Sequence, residues 1–283
     1  MIISGTELAK EIKANVKKQV AEVKEKYGRV PHLVVILVGE DPASQSYVKG
    51  KGRDAEEVGF KSTTILKPAD ITEEEFINLI KQLNDDSEVD GILVQLPLPK
   101  HIDENKVIET IALEKDVDGF HPGNVAKLWQ KRSCIYPCTP KGIIKLLDKA
   151  RVEIEGKKAV VIGRSNIVGL PVAKMLIDRN ATVTVAHSRT KNLPEVASDA
   201  DILVVAIGKP RFVTSNMVKE GAAVIDVGVN RDPETGKLCG DVDFDACKDK
   251  VTVITPVPGG VGPMTRACLM ENTLECFLKK MEK

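Results

Sequence analysis

Apolar positions recur along the chain with two alternating periods. Leu8, Ile12, Val16, Val20 and Val23 follow one another at helical spacing, behind a Ser4/Glu7 pair placed as a capping box. Leu33 to Val38 is an unbroken apolar run of strand length, the pattern of a parallel strand covered on both faces. A turn at Gly39-Glu40-Asp41-Pro42, with Asp41 or Ser44 as cap, leads into a helix ending near Gly59. Lys61 to Leu66 reads as the next strand. A helix capped by Thr72 then runs from Glu73 to Leu83, with Phe76, Leu79, Ile80 and Leu83 inward. Gly91 to Leu96 is a strand and Asp103 to Ala112 a helix.

The alternation continues in the second half. A helix from Thr139 to about Ala150 precedes strands at Ala159–Ile162, Thr182–Ala186, Asp201–Ala206, Ala222–Val227 and Val251–Ile254. Arg231 to Gly240, with Pro233 and Gly236, reads as a surface excursion or hairpin. A last helix runs from Arg266 to about Lys280. Strand–helix alternation throughout predicts an α/β fold built on parallel sheets.

A chain of 283 residues is long enough for two such domains, each with its own core. Lysine plus arginine balances aspartate plus glutamate at 41 each, so no global field points to nucleic acid or an anionic membrane. The apolar runs are too short to span a bilayer, and Met1 to Gly5 runs into an amphipathic pattern without a signal-peptide core. The expectation is a cytoplasmic protein. No two of the six cysteines form a CxxC pair and the four histidines lie away from them, so no metal site is expected. Cys138 stands apart because it sits in a Pro-Cys-Thr-Pro turn.

The most informative stretch is Ser44-Gln45-Ser46-Tyr47-Val48-Lys49-Gly50-Lys51. Tyr47 and Lys51, four residues apart at the start of a helix, share one face. A phenol beside an amine at a strand–helix turn can serve as an acid/base pair, and burial or nearby cations would bring the amine's pKa down. The same spacing also describes an amphipathic helix with Tyr47 half-buried and Lys51 solvated. Gly50 and Gly52 weaken that helix by about 1 kcal/mol each relative to alanine, which points to another demand such as room for a ligand.

Gln95 stands at the carboxyl end of its strand, before Leu96-Pro97-Leu98-Pro99, where open parallel sheets place their ligands. Asp118, in the loop Lys115-Asp116-Val117-Asp118-Gly119-Phe120-His121-Pro122, is either an acceptor for paired ligand N–H groups or a turn former.

In the second half, Gly163-Arg164-Ser165-Asn166-Ile167-Val168-Gly169-Leu170-Pro171 joins a buried strand to a helix, a phosphate-binding arrangement without the GxGxxG spacing. The following strand ends in His187-Ser188-Arg189, with no carboxylate for a ribose 2′-hydroxyl. With Arg164 nearby in sequence, this favours a 2′-phosphate and hence NADP, although Arg189 also fits a solvated loop. Gly208 and Gly228 at later strand ends would let backbone approach a flat ligand. Thr255 to Thr265, with three glycines and three prolines among the residues from Pro256 to Pro263, reads as an irregular loop lining a site.

Five segments together (SQSYVKGK from Ser44, GILVQLPLP from Gly91, KDVDGFHP from Lys115, GRSNIVGLP from Gly163 and PVPGGVGPMT from Pro256) resemble the bifunctional methylenetetrahydrofolate dehydrogenase/cyclohydrolase family from end to end. The resemblance implies a catalytic, folate-binding domain over residues 1–146 plus a C-terminal helix at 266–283 that packs back on it. It implies a Rossmann-like NADP-binding domain over residues 147–265, with folate in the cleft between the domains, and a homodimer. It makes Lys51 the central catalytic group, assisted by Tyr47, Gln95 and Asp118. The folate site would take Tyr47, Lys51, Val94, Gln95, Leu96, Asp118, Pro258, Gly259 and Gly260. NADP would take Gly163, Arg164, Ser165, Ser188, Val229 and Thr265. Two other readings stand beside it: a two-domain NADP dehydrogenase acting on a hydroxy or amino acid, and a non-catalytic NADP-binding protein. The first of these does not explain Gln95 or the PVPGGVGPMT segment, and the second predicts NADP binding without folate binding.

Overall fold

The computed structural model describes residues 1–282, apart from the side chain of Ala43. Strands and helices alternate through most of the chain. The first half holds α1 (Gly5–Tyr27), β1 (His32–Val38), α2 (Pro42–Val58), β2 (Lys61–Lys67), α3 (Glu73–Asp85), β3 (Gly91–Val94), α4 (Glu104–Thr110) and α5 (Pro122–Trp129). The second half holds α6 (Cys138–Lys149), β4 (Lys158–Ile162), α7 (Gly169–Asp178), β5 (Thr182–Ala186), α8 (Leu193–Ser198), β6 (Ile202–Val205), β7 (Ala223–Asp226), β8 (Asn230–Arg231), β9 (Leu238–Cys239), α9 (Phe244–Cys247), β10 (Val253–Ile254) and α10 (Val261–Met281).

Two compact units result. The first comprises Lys10–Tyr136 and the chain from Arg266 on; the second comprises Met1–Ala9 and Pro137–Thr265. The boundary therefore falls at residues 136/137 rather than 146/147, because α6 packs within the second unit: a Cβ on Gly142 would press on the Met264 side chain. Residues 1–9 also leave the first unit. Ile3 N–H donates to Ile254 O at 2.9 Å, and Thr6 N–H donates to Gly259 O at 3.1 Å. Of the expected C-terminal helix at 266–283, residue 283 lies outside the described residues.

In the first unit β1 is central in a parallel sheet of order β2-β1-β3. All seven residues of β1 are buried, as an unbroken apolar run requires when both faces are covered. Val34, Ile36 and Val38 join Phe76, Ile80 and Ile92 in one core cluster with the inner face of α3. The capping box at Thr72 and Glu75 starts α3 as its sequence indicates. The last helix packs back on this unit. Asn272 Nδ2 donates to the carbonyls of Val117 and Tyr136, both at 2.9 Å, and Lys280 Nζ donates to Asp90 Oδ1 at 3.0 Å.

The second unit carries a parallel five-stranded sheet of order β10-β7-β6-β4-β5. Numbered along the chain within the unit, this order is 2-1-3-4-5 read from the other edge, so the winding reverses between β4 and β6. The excursion at 231–240 contains a short antiparallel pair of β8 and β9. Helix α10 begins at Val261, earlier than its glycines and prolines suggest, because Pro263 falls in the first turn, where a missing N–H costs nothing. Helix α5 follows the Lys115–Pro122 loop and is started by His121 Nδ1 accepting from Gly123 N–H at 2.9 Å.

Gly91 marks how tightly the first unit is packed: a Cβ there would overlap Val117 Cγ1 and touch Leu33 and Thr273. Gly91→Ala is expected to cost about 1–3 kcal/mol by overpacking, read as a lower urea midpoint at unchanged slope.

Candidate functional site

In the first unit the chain reverses direction of winding between β1 and β3, and the candidate residues collect at the carboxyl ends of those strands. Asp41 accepts from Ser44 N–H at 2.8 Å and Pro42 occupies the first turn, so α2 starts at once after β1 and presents Tyr47 and Lys51 within its first turns. Gln95 follows β3 directly, its N–H donating to Ile36 O of β1 at 2.9 Å. Lys51 is 8% exposed, and its Nζ donates to Gln95 Oε1 at 2.9 Å. The Gln95 amide is turned by its other end, Nε2 donating to Leu96 O at 2.7 Å. Lys51 is thus a buried group held against a neutral amide at a strand end, rather than the solvated lysine of an ordinary helix face. Tyr47 is 41% exposed on the same helix, so its ring faces outward more than the half-buried expectation.

Gly50 is accounted for by a protein side chain rather than a ligand. A Cβ on Gly50 would meet the guanidinium of Arg266, whose Nε lies 3.2 Å from Asp54 Oδ2 one turn further along α2. A Cβ on Gly52 would come no nearer than 4.0 Å to the Ser62 hydroxyl on β2.

Val94, Leu96 and Asp118 line one narrow cavity with Phe120, about 10 Å³ in volume, room for little more than one water-sized sphere. Asp118 is held there by its neighbour two residues back. The buried Asp116 carboxylate accepts from the N–H groups of Gly119, Phe120 and His121 at 3.0, 3.2 and 2.9 Å, and from Asn124 Nδ2 at 2.8 Å. Lys115 anchors the same loop, its Nζ donating to the carbonyls of Leu83, Asn84 and Asp86 at the end of α3. Burial pushes the Lys115 amine below its ordinary range. Asp116 and Asn124 were missed from sequence. The signal was the first of the two carboxylates in the KDVDG segment, which is the one that ties the loop.

The dinucleotide candidates stand in the second unit, at its own reversal point between β4 and β6. Gly163 ends β4 with φ 127°, and a Cβ there would overlap Ala206 O at the end of β6. Ser165 Oγ accepts from the N–H groups of Val168 and Gly169 at 3.2 and 3.3 Å, capping the turn into α7. Arg164 and Ser165 are exposed on that turn. Ser188 is exposed at the tip of the turn after β5, where His187 N–H donates to Thr190 Oγ1 at 2.8 Å. Val229 is exposed after β7, and the Thr265 hydroxyl pairs with that of Thr139 at 2.8 Å. A glycine cradle at the winding reversal, a helix start and an exposed arginine fit a phosphorylated dinucleotide. Pro258, Gly259 and Gly260 also belong to this unit, with Gly259 at φ 102°. The structure thus joins Lys51 to Gln95, and Val94 and Leu96 to Asp118, in one unit, and groups Pro258 to Gly260 with the dinucleotide candidates in the other. Cys138 is the first residue of α6 and buried, as are the other five cysteines.

Gly228 is a glycine for a different reason from the one its position suggests. A Cβ there would overlap the carboxylate of the buried Asp241, not a ligand. Gly208 does need positive φ, at 65°. The sequence reading passed over both Asp241 and Asp226, although each is a carboxylate set beside glycine near a strand end.

With this geometry in view, the comparisons with known proteins agree on one family. Residues 3–118 match the catalytic domain of tetrahydrofolate dehydrogenase/cyclohydrolase, and residues 137–281 match the NAD(P)-binding domain of the same family. A bifunctional protein FolD of Listeria innocua is 57% identical over 274 residues, 97% of this chain and 96% of the relative. The crystal structure of the bifunctional FolD methylenetetrahydrofolate dehydrogenase/cyclohydrolase of Campylobacter jejuni is 48% identical and superposes with a TM-score of 0.96 over 99% of each chain. The Trypanosoma brucei enzyme, solved with NADP cofactor and inhibitor, is 41% identical with a TM-score of 0.96, covering 100% of this chain and 99% of that one. The chain belongs to the tetrahydrofolate dehydrogenase/cyclohydrolase family.

Asp226 gives the second unit a pH signature. Burial raises its carboxyl to about 7, against the backbone N–H groups of Val242, Asp241 and Gly228 that favour the charged form. A carboxyl whose folded-state pKa lies above its unfolded value stabilises the fold at low pH, and that stabilisation is lost as pH rises toward 7. Between pH 4 and 7 Asp226 is expected to subtract on the order of 1.4 kcal/mol of stability per pH unit. Asp226→Asn should remove this slope, seen as the difference between wild-type and variant urea midpoints at pH 5 and pH 7.

Proposed function

We propose that this chain is a bifunctional one-carbon enzyme. It oxidises 5,10-methylenetetrahydrofolate to 5,10-methenyltetrahydrofolate with NADP, and then hydrolyses the methenyl product to 10-formyltetrahydrofolate. The observation that carries the proposal is the buried Lys51 Nζ held 2.9 Å from Gln95 Oε1 at the winding reversal of the first unit. A hydroxy-acid dehydrogenase has no use for a lysine–glutamine pair there, whereas cyclohydrolysis needs a nitrogen that moves protons beside an amide that orients it.

NADP, when bound, supplies the hydride acceptor for the first step. The residues of this chain supply position. Arg164 and Ser165, at the glycine turn of the second unit, are the groups proposed to hold the dinucleotide phosphates, with Ser188 beside them. Val229 and Thr265 are proposed for the nicotinamide end. In the first unit Asp118 is proposed to accept from the amino and ring N–H groups of the pterin, and Val94, Gln95 and Leu96 to flank it. Pro258, Gly259 and Gly260 are proposed to contribute backbone to folate binding. The cavity beside Asp118 is too small to enclose a pterin ring.

The second step is where Lys51 works. Water adds to the methenyl carbon, one of its protons passes to the lysine nitrogen, and the bond from that carbon to N5 breaks. As the hydroxyl on that carbon gives up its proton to become the carbonyl, the carbon is left as a formyl group on N10 and N5 takes a proton, so that one proton is released overall. Gln95 keeps Lys51 Nζ aimed through this sequence, and Tyr47, on the same face of α2, is proposed to assist the proton movement. As in the wider family reading, we propose a cytoplasmic homodimer. Strand β5 closes one edge of the five-stranded sheet and is the kind of element through which a second copy can associate. Among the described residues no helix is long and apolar enough to cross a membrane.

Two substitutions test the assignments. Lys51→Met should lower methenyl hydrolysis by about 10²–10⁴-fold, followed as decay of methenyl absorbance, while NADP binding survives. Unchanged hydrolysis in that variant would remove Lys51 from the mechanism. Arg164→Ala should raise the KM for NADP by about tenfold or more and leave that for NAD nearly unchanged, since only NADP offers a 2′-phosphate. Equal losses with both dinucleotides would place Arg164 on the shared pyrophosphate instead.

A further inference from the structure

Two carboxylates deep in the second unit are interlocked in a way that the proposed catalytic and binding residues do not account for. Asp241 is 0% exposed, and four donors converge on its two oxygens. Oδ2 accepts from Ile207 N–H at 2.7 Å and Gly208 N–H at 3.0 Å; Oδ1 accepts from Lys209 N–H and Asn230 Nδ2, both at 2.8 Å. It therefore gathers the loop that leaves β6 and the residue that follows Val229 after β7. Asp226, at the end of β7, accepts from Gly228 and Asp241 N–H on Oδ1, at 3.1 and 2.9 Å, and from Val242 N–H on Oδ2 at 2.9 Å.

The glycines make the pair reciprocal. A Cβ on Gly228, two residues after Asp226, would overlap the Asp241 carboxylate. A Cβ on Gly240, one residue before Asp241, would overlap the Asp226 carboxylate. Each acid is seated against the glycine beside the other, so neither loop can shift without moving both. One step further on, Ala206 precedes the loop that Asp241 holds, and it is Ala206 O that forces a glycine at position 163. A continuous set of contacts thus runs from Asp241, through residues 206–209, to the turn carrying Arg164 and Ser165.

We propose that Asp241 is a positioning residue for the dinucleotide. Interlocked with Asp226, it fixes the loops at the carboxyl ends of β6 and β7 in the conformation that receives NADP. The proposal rests on the assignment of NADP to the second unit. Four donors leave an amide no good orientation: asparagine would set its own N–H₂ against backbone N–H groups on one side. The lost contacts free the loops, and the ligand must then order them again on binding.

The test compares wild type with Asp241→Asn in equilibrium NADP binding, in the kinetics of the dehydrogenase, and in methenyl hydrolysis, which consumes no dinucleotide. The expected result is NADP binding weakened by about tenfold, a matching rise in the KM for NADP, and methenyl hydrolysis within about twofold of wild type. A wild-type protein that binds no NADP would sink the cofactor assignment itself, and this proposal with it. A wild type that binds NADP and a variant that binds it equally well would overturn the positioning role alone. Should Asp241→Asn lose methenyl hydrolysis as well, and so be misfolded, Asn230→Ala decides the matter. It removes a single donor from Asp241 and should weaken NADP binding by about threefold, whereas unchanged binding there overturns the proposal.

Discussion

A carboxylate taken out of water has to be surrounded by donors, and this chain uses that requirement to shape its loops. Asp90, Asp116, Asp226 and Asp241 are all buried, and each ties down chain that would otherwise be free to wander. Asp90 sits just ahead of β3 and accepts from Arg29 and Lys280 and from the backbone N–H of His32, drawing the C-terminal helix onto the first sheet. Asp116 closes the loop that presents Asp118. Asp241 and Asp226 do the same for the loops after β6 and β7. Three or more hydrogen bonds meet each carboxylate, and charge-assisted bonds of this kind are roughly twice as strong as neutral ones; at Asp226 they offset only part of the desolvation cost, and its carboxyl rises to about 7. Three of the four draw on backbone N–H groups in loops, so removing one leaves several donors unsatisfied at once.

The fold was legible from the apolar pattern because parallel strands buried on both faces leave little ambiguity. Leu33 to Val38 and Ala159 to Ile162 read as strands and are strands. What the pattern could not carry was the assignment of chain to unit. Residues 1–9 look like the opening of a first domain, but the backbone of Ile3 and Thr6 bonds to Ile254 and Gly259, more than 240 residues away. Pairing across such separation has no local signature. The start of α10 was misplaced for the opposite reason: glycine and proline signal irregular structure locally, and a helix's first turn tolerates both.

The site was partly legible, and the division is physical. Lys51 and Gln95 could be picked out as candidates because a lysine early in a helix and a glutamine at a strand end are unusual types for their positions, and the structure bonds them together. Gly50 and Gly228 were misread because a missing side chain records that something lies close without recording what. For Gly50 the neighbour is Arg266 and for Gly228 it is Asp241, both distant in sequence. Asp116 and Asp241 escaped notice because a carboxylate that binds loop backbone looks, in sequence, like any turn residue.

Both units present their candidate residues at a winding reversal, β1/β3 in one and β4/β6 in the other, yet the chemistry proposed for them differs. The difference comes from what stands on the strand-end loops. In the first unit α2 follows β1 after a short turn and brings a lysine down onto the amide at the end of β3. In the second, a longer turn after β4 is capped by Ser165 and pressed against Ala206 at Gly163, and it carries an exposed arginine where α2 offers an amine. A reversal supplies a crevice and nothing more. The length of the first turn after the reversal decides whether a side chain or the backbone itself fills it. That length thereby separates the unit proposed to move protons from the one proposed to hold phosphates.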